Sequence, residues 1–510
     1  MYKIRQRRLE VLCFKAPFFA FNGHYLVYYS FATIVVHYRC NQSHQNLEET
    51  LTEMDTDKLH EECGVFGIYE EEGSDVAKDI YYGLMALQHR GQESAGISVS
   101  DTSGPMGNVI TKKGMGLVSE VITKNVLNEL EGNIGVGHVR YSTSGESSID
   151  NAQPIAMNYI KGSLALVHNG NIVNADELKE KQKYRGVAHY TSSDSEVLAY
   201  EIIGERVKTH SIEEAVKNAA LRLRGGFACI VMSPRKLIAI RDPLGIKPLV
   251  LGKRGNSYIL ASESAAITTV GGKLIRDIKP GEIVSITRQG IKSDESLCAN
   301  KKAHCIFEYI YFARSDSVID GIEVSQARKN AGIALARLDD VDADIVCGVP
   351  DSGLPAAEGY AKESGIPFAI AFYKNSYIGR SFIKPTKQER TAAVHMKLNV
   401  LKSVVKGKRI VLIDDSIVRG TTMKQIIEML RRVGAKEVHV RISSPPFLYP
   451  CYYGTDVPSS GQLIASHHST EEIRENIGAD SLAYLRIEDF KIMVGDLPLC
   501  KACFDNDYPI

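Results

Sequence analysis

The chain has 510 residues, 44% hydrophobic and 24% charged, enough for two or three domains with sizeable cores. Lysine plus arginine equals aspartate plus glutamate at 61 each, which removes the electrostatic case for nucleic acid or an anionic membrane as the main partner. Ten cysteines spread along the whole length do not read as a short disulfide scaffold; a reducing cytoplasm fits them, and there clustered cysteines point to metal or catalysis.

Residues 1–53 differ from the rest. YLVYYSFATIVV (25–36) is almost wholly apolar but too short to span a bilayer, and extending it backwards brings in Lys15, Pro17, Asn22, Gly23 and His24. Lys3, Arg5, Arg7 and Arg8 suggest a signal peptide, yet HYRCNQSHQN follows the apolar run without a small-residue cleavage site. The segment reads as an atypical extension.

From Cys63 to about residue 300 short apolar runs recur: GVFGIY, AGISVS, IGVGHVR, SLALVH, FACIVM, LIAIRD, SYILAS and EIVSIT. Glycine, asparagine, serine or proline punctuates them, as between strands. Helical patterns fall at 76–88, with Val76, Ile80, Leu84 and Leu87 on one face, and at 194–208, with Asp194 as N-cap. Stacked sheets with helices outside are expected. After residue 300 the rhythm changes to a helical stripe (Val324 to Leu338), the strand ADIVCGV, the loop PDSG, a helix from Pro355, the strand IPFAIAFY, the strand RIVLID, a helix with Ile426, Ile427 and Leu430, and the strand EVHVRIS. Such alternation predicts a parallel α/β sheet, with a domain boundary near residue 300.

Two groups of motifs carry chemistry. In IVLIDDSIVRGTT (410–422) an apolar strand ends in Asp414 and Asp415, and a loop closes with Gly420, Thr421 and Thr422 at a helix start. Free N–H groups with hydroxyls beside them make a phosphate cradle. The acidic pair can reach ribose hydroxyls, or a magnesium ion linking them to a pyrophosphate. Read alone, the string is a strand-end acidic turn and a helix cap. In the first half EECGVFG, LQHRGQESAG (87–96), GHVRYSTSG (137–145), HNGNI (168–172) and SDSEV (193–197) each have a bland reading too: a buried structural cysteine, a surface arginine, an Asn-Gly turn.

Taken whole, IVLIDDSIVRGTT resembles the signature of the type I phosphoribosyltransferases, which bind phosphoribosyl pyrophosphate (PRPP) at the carboxyl ends of a parallel sheet. That resemblance implies PRPP contacts from Asp414, Asp415, Ser416, Arg419, Gly420, Thr421 and Thr422, and a pyrophosphate loop at Asp351, Ser352 and Gly353. It also implies a mobile loop at 373–390 with Arg380, Lys384 and Lys387 reaching the phosphates, and Mg2+ at Ser352, Asp414 and Asp415. The first-half motifs, in their order, resemble the Ntn-type (class II) glutamine amidotransferases, an α+β fold of αββα layers. The roles implied are Cys63 as nucleophile with its own α-amine as base, Asn169 and Gly170 as oxyanion hole, and Arg140 and Asp194 on the substrate's carboxylate and ammonium. His138, Tyr141 and Thr143 would line the pocket.

A glutaminase joined to a PRPP domain resembles the glutamine-dependent PRPP amidotransferases over nearly everything after Met54. The expected activity is hydrolysis of glutamine at Cys63 and transfer of ammonia to C1 of PRPP. The products would be 5-phosphoribosylamine, pyrophosphate and glutamate, at the first committed step of purine synthesis. The resemblance also implies a cytoplasmic homo-oligomer, tetramer or dimer, inhibited by purine nucleotides. Other Ntn amidotransferases have different acceptor domains, a PRPP-sensing regulator would lack the glutaminase motifs, and an iron–sulfur redox protein would not disperse its ligands so widely. Cys305, Cys451, Cys500 and Cys503 could hold zinc or an iron–sulfur cluster on ligand chemistry alone; their contexts resemble the branch that carries a [4Fe–4S] cluster. Cys229 and Cys347, within apolar strands, read as core. Members of that branch carry a short propeptide, so the expected organisation is an extension at 1–53, a propeptide at 54–62, a glutaminase domain at 63–300, a phosphoribosyltransferase domain at 301–465 and a cysteine-bearing C-terminal segment at 466–510, with Met54 as the natural start.

Overall fold

The structure is a computed structural model and describes residues 63–510 apart from 72, 74, 104–107, 142–146, 376–397, 456 and 458. Before Cys63 it describes only two short antiparallel pairings, Ala20–Phe21 with His24–Tyr25 and Tyr28–Tyr29 with Ala32–Thr33, within a separate unit, Met1–Thr56. The expected propeptide lies outside the described residues. Everything below concerns the second unit, Asp57–Ile510.

In chain order the longer elements of its first half are β1 (Gly64–Tyr69), α1 (Ala77–Ala86), β2 (Ser94–Ser100), β3 (Ile110–Met115), β4 (Ile134–Arg140), β5 (Ile155–Tyr159) and β6 (Gly162–Ile172). There follow α2 (Ala175–Tyr184), α3 (Asp194–Lys208), α4 (Ile212–Ala220), β7 (Gly225–Ser233), β8 (Lys236–Arg241), β9 (Val250–Arg254), β10 (Ser257–Ala261), α5 (Ser264–Thr269), β11 (Lys273–Asp277), β12 (Ile283–Thr287) and β13 (Gly290–Asp294). One antiparallel sheet runs β11-β9-β10-β1-β4-β2-β3 and the other β13-β12-β8-β7-β6-β5.

The alternation within each strand explains the layering. In β1, Val65 and Tyr69 join Val167, Ile230 and Leu237 in a core between the sheets. Phe66 and Ile68 point the other way, onto Ile80 and Leu84 of α1. β6 divides likewise: Val167 faces the inter-sheet core, and Leu166 meets Val197, Ile202 and Val216 of α3 and α4. Both faces of each sheet are therefore covered, which is why GVFGIY and FACIVM read as near-continuous apolar runs although their sheets are antiparallel. Each large apolar side chain so buried contributes about 1.5–3 kcal/mol. The αββα arrangement is the one anticipated. Asp194 proves to be the first helical residue rather than the cap: the N-cap of α3 is Ser193, whose hydroxyl accepts from the Ser195 N–H at 3.2 Å.

The second half contains α6 (Val324–Arg337), β14 (Ile345–Gly348), α7 (Gly353–Ser364), β15 (Arg409–Asp414), α8 (Thr421–Arg432), β16 (Glu437–Ile442) and β17 (Ser481–Tyr484). The strands run β14-β15-β16-β17, all parallel. Val411 and Ile413 face Ala327, Ala331 and Tyr360 of α6 and α7, whereas Leu412 faces Ile426, Ile427 and Leu430 of α8. The expected strand IPFAIAFY is not formed as such. It makes one isolated bridge, Val346 to Phe368, and a short pairing of Phe372–Lys374 with Leu398–Val400, leaving Phe368, Ile370 and Tyr373 exposed.

Buried ion pairs join the halves. Arg90, 1% exposed, pairs with Glu263 at 2.7 Å and Glu308 at 2.6 Å; Arg241 grips Asp320 with both terminal nitrogens, at 2.7 and 2.8 Å.

Candidate active site

Cys63 stands immediately before β1, buried, its thiol directed at the Tyr141 carbonyl 3.4 Å away. β4 lies alongside, with Gly64 opposite Val139; this register brings Arg140 and Tyr141 beside the cysteine. Burial pushes the Cys63 thiol up to about 11; the contact with Tyr141 and the charge of Arg140 oppose that rise, and Glu93 and Asp194 add to it. Arg140 is itself buried, its Nη1 held 2.6 Å from Glu93 Oε1. His138 donates through Nε2 to the His168 carbonyl, 3.0 Å away, and burial lowers its pKa to about 3, so it ties β4 to β6 as a neutral ring. Thr143 lies outside the described residues.

The strand-edge geometry around Gly170 follows from hydrogen-bond alternation. Gly170 sits opposite Phe227 in the β6–β7 ladder. The Phe227 N–H and carbonyl are both engaged by Asp242, at 3.3 and 2.8 Å, so the pair is a non-hydrogen-bonded one and the Gly170 N–H points to the opposite edge of β6. The neighbours on that edge behave alike: the His168 N–H bonds Gln153 Oε1 at 2.7 Å and the Ile172 N–H bonds Asp194 Oδ2 at 3.0 Å. Gly170 holds φ +133°, where an added Cβ would lie 2.0 Å from the Gly226 oxygen; only glycine fits. Beside it the Asn169 side chain is fully buried, and neither its oxygen nor its nitrogen has a partner. Buried amides are almost always bonded, so this one is an acceptor and donor in waiting. The HNGN stretch is thus extended strand, not a turn.

In the second half the acids meet the PDSG loop at the carboxyl ends of β14 and β15. Asp414 and Asp415 are both buried. The Asp415 N–H bonds Asp414 Oδ1 at 3.0 Å, and the Asp415 carboxylate accepts from the hydroxyls of Ser416, at 2.5 Å, and Ser352. Gly353 lets α7 begin against β15, since a Cβ there would lie 2.6 Å from the Ile413 oxygen. Gly420, at φ +84°, is the N-cap of α8, with Thr421 and Thr422 in the first turn; Arg419 reaches Gln462 at 2.5 Å. Asp351 is exposed and paired with Lys374. Arg380, Lys384 and Lys387 lie outside the described residues.

Cys305, Cys451, Cys500 and Cys503 line one apolar cavity with Ile246 and Phe307. Cys305 and Cys500 face each other in a short parallel strand pair, and Cys451 Sγ accepts the Tyr453 N–H at 3.4 Å. Burial pushes Cys500 up to about 12 and Cys503 well above its usual value. Among the described residues no three His, Cys, Asp or Glu side chains are gathered tightly enough to hold a single metal ion. Cys229 and Cys347 are core, as expected.

Arg90 and Glu93, both inside LQHRGQESAG, escaped the reading of the sequence. Arg90 Nε bonds the Cys63 carbonyl at 3.2 Å and Glu93 holds Arg140. Lys374 and Asn171 went unnoticed too; of these only Lys374, in a basic stretch, carried a compositional signal.

Residues 138–269 match the glutamine amidotransferase domain family and residues 323–443 the phosphoribosyl transferase domain family. The amidophosphoribosyltransferase of Methanocaldococcus jannaschii is 46% identical over 462 residues, covering 88% of this chain and 97% of the relative; that of Bacillus subtilis is 46% identical, over 88% and 94%. The solved structure of the B. subtilis glutamine PRPP amidotransferase, complexed with ADP and GMP, superposes with a TM-score of 0.81 at 45% identity, over 88% of this chain and 97% of that one. With both domains matched in order and relatives covered almost end to end, the chain belongs to the amidophosphoribosyltransferase family.

Proposed function

We propose that the chain releases ammonia from glutamine at Cys63 and passes it to C1 of PRPP, forming 5-phosphoribosylamine, pyrophosphate and glutamate at the entry to purine synthesis. The observation that carries this reading is that one compact unit, Asp57–Ile510, holds both half-sites.

In the glutamine half, Arg140 offers a fork to the substrate carboxylate and Asp194 a charge to its ammonium. Attack by the Cys63 sulfur on the side-chain amide places an oxyanion between Asn169 Nδ2 and the Gly170 N–H, donors whose effect is greatest in a dry site. A buried thiol titrating at about 11 is scarcely ionised at neutral pH, so a base is needed. The Cys63 α-amine, near ~8 once free, is that base, which requires removal of residues 1–62; Met54 is the proposed start and 54–62 the propeptide. Ammonia displaces pyrophosphate from C1 of PRPP. Thr421, Thr422 and the first amides of α8 hold the phosphate, and Asp414 and Asp415 hold the ribose side.

The all-oxygen set of Ser352, Asp414 and Asp415 fits Mg2+, which when bound supplies charge for the leaving pyrophosphate. The four cysteines around one cavity, without single-ion geometry, fit a [4Fe–4S] cluster better than zinc; when bound it supplies a cross-link between the C-terminal segment and both halves. The ADP and GMP of the B. subtilis complex support purine nucleotides as inhibitors. A homo-oligomer is proposed on family grounds. Among the described residues no helix is long and apolar enough to cross a membrane; a cytoplasmic location is proposed on family grounds.

Pyrophosphate release from PRPP tests the reading. Cys63→Ala is expected to lose glutamine-dependent release and keep ammonia-dependent release; absence of release from the unaltered enzyme with either donor overturns the assignment. N-terminal sequencing of active protein is expected to begin at Cys63, and full glutaminase activity in a chain retaining Met1 overturns the α-amine mechanism.

A further inference from the structure

The Gly170–Asn171 peptide is gripped from a distant part of the chain. Asn171 Nδ2 donates to the Tyr452 carbonyl at 2.9 Å. Gly454 lies flat on the same peptide: at φ +96°, a Cβ added there would come 2.7 Å from the Gly170 carbonyl carbon, 2.9 Å from its Cα and 3.0 Å from the Asn171 nitrogen. On the other side Gly170 abuts the Gly226 oxygen. The gripping segment is itself anchored. Cys451 lines the cysteine cavity, the Tyr508 hydroxyl donates to the Pro450 carbonyl at 2.6 Å, and the Ile510 N–H donates to the Tyr453 hydroxyl at 3.2 Å.

We propose that Asn171 and Gly454 are positioning residues for the glutamine half-reaction, clamping the Gly170 backbone so that its N–H is held where the oxyanion forms. The inference rests on the oxyanion role of Asn169 and Gly170 proposed above. Glycine has the freest backbone of any residue, and φ +133° has no side chain to secure it. A donor that must meet a developing charge at hydrogen-bond distance therefore depends on what packs against it; a displacement of about 1 Å can cost on the order of 100-fold in rate. The hydrogen bond from Asn171 fixes the peptide that follows Gly170, and Gly454 packs against the Gly170 Cα itself, the atom from which the N–H-bearing peptide hangs. Because the clamp belongs to the loop that carries Cys451, closure of the cysteine cavity and shaping of the oxyanion hole share one backbone segment.

The test uses the full mature enzyme with Asn171→Ala, Asn171→Asp and Gly454→Ala, and Asn169→Ala as benchmark. Asp keeps the shape of Asn171 but has no donor for the Tyr452 carbonyl, so a mere packing role predicts normal behaviour for it. The expected result is a fall of about tenfold or more in glutamine-dependent kcat for all three, with the KM for glutamine within about twofold. Ammonia-dependent release and iron content should stay unchanged, as should the thermal midpoint of the two Asn171 variants; Gly454→Ala, strained at φ +96°, is read by its glutamine-dependent rate against its own ammonia-dependent rate. Full kcat in the three variants while Asn169→Ala is impaired overturns the clamp alone. Full kcat in Asn169→Ala as well overturns the oxyanion reading beneath it. A loss that appears only in KM, or only together with loss of iron, also overturns the clamp.

Discussion

Truncating Asn169 should cost activity without costing stability. An unsatisfied buried polar group carries a desolvation penalty of about 1–3 kcal/mol, and the Asn169 amide already bears it, because neither polar atom has a partner. Asn169→Ala therefore strands no donor or acceptor. It relieves that penalty and gives back a similar amount in lost packing, leaving a net change within about 1–2 kcal/mol of zero. At about 2–4 °C per kcal/mol for domains of this scale, the thermal midpoint should move by less than about 8 °C in either direction. Loss of one oxyanion donor, by contrast, lowers kcat by about 100- to 1000-fold, or about 2.7–4 kcal/mol. Calorimetry and glutamine-dependent pyrophosphate release on the same preparation read both quantities. Near-normal kcat would refute the oxyanion role; a fall in midpoint well beyond about 8 °C would show that the amide is bonded in the resting protein.

In the chain that retains residues 1–62, alkylation of Cys63 should accelerate about tenfold per pH unit up to about 11, because only the thiolate reacts; a break near pH ~8 belongs to a chain with a free Cys63 amine, and its appearance in the longer chain contradicts the burial argument. Burial alone would raise the Glu263 carboxyl, yet His89 and Arg90 hold it well below the usual carboxylate range. Its contribution to stability is then complete above its unfolded value of ~4.3 and is lost on acidification toward the folded value. Glu263→Gln should destabilise by about 3–5 kcal/mol at pH 7 and flatten the acid side of a urea-midpoint profile; an unchanged midpoint contradicts this. Asp415→Asn should lower ammonia-dependent and glutamine-dependent release equally and raise the magnesium needed for half-maximal rate; a selective loss of the glutamine reaction would place Asp415 in the wrong half-site.

Legibility followed distance along the chain. Asp414, Asp415 and Gly420 lie within one strand–loop–helix unit, so the string that encodes them also encodes their geometry. Arg140 and Asn169 were recognisable as motif residues, but what holds them was not. Glu93 reaches Arg140 across the pairing of β2 with β4, and the Gly454 loop meets Gly170 from far along the chain. α2 was missed because its buried face is Leu178 and Gln182. Gln182 Nε2 donates to the Val197 carbonyl and to Glu201, and a buried polar residue leaves no mark in an apolar period. IPFAIAFY misled in the opposite sense: an apolar run specifies burial or an exposed face, and only pairing makes it a strand.

The cysteine cavity is built from the two ends of the described half. Cys305 meets Cys500 in a parallel strand pair, and Leu448 and Tyr449 both donate to the Cys503 carbonyl at 3.1 Å. During synthesis Cys305 and Cys451 emerge well before their partners, and the cavity lacks a wall until Cys500 and Cys503 have followed. A chain cut before residue 500 loses the anchor of the Cys451 loop while keeping Cys63 and every side chain of the candidate glutamine pocket. Residues 500–510 thus bear on the geometry of a candidate site whose own side chains lie hundreds of residues earlier in the chain.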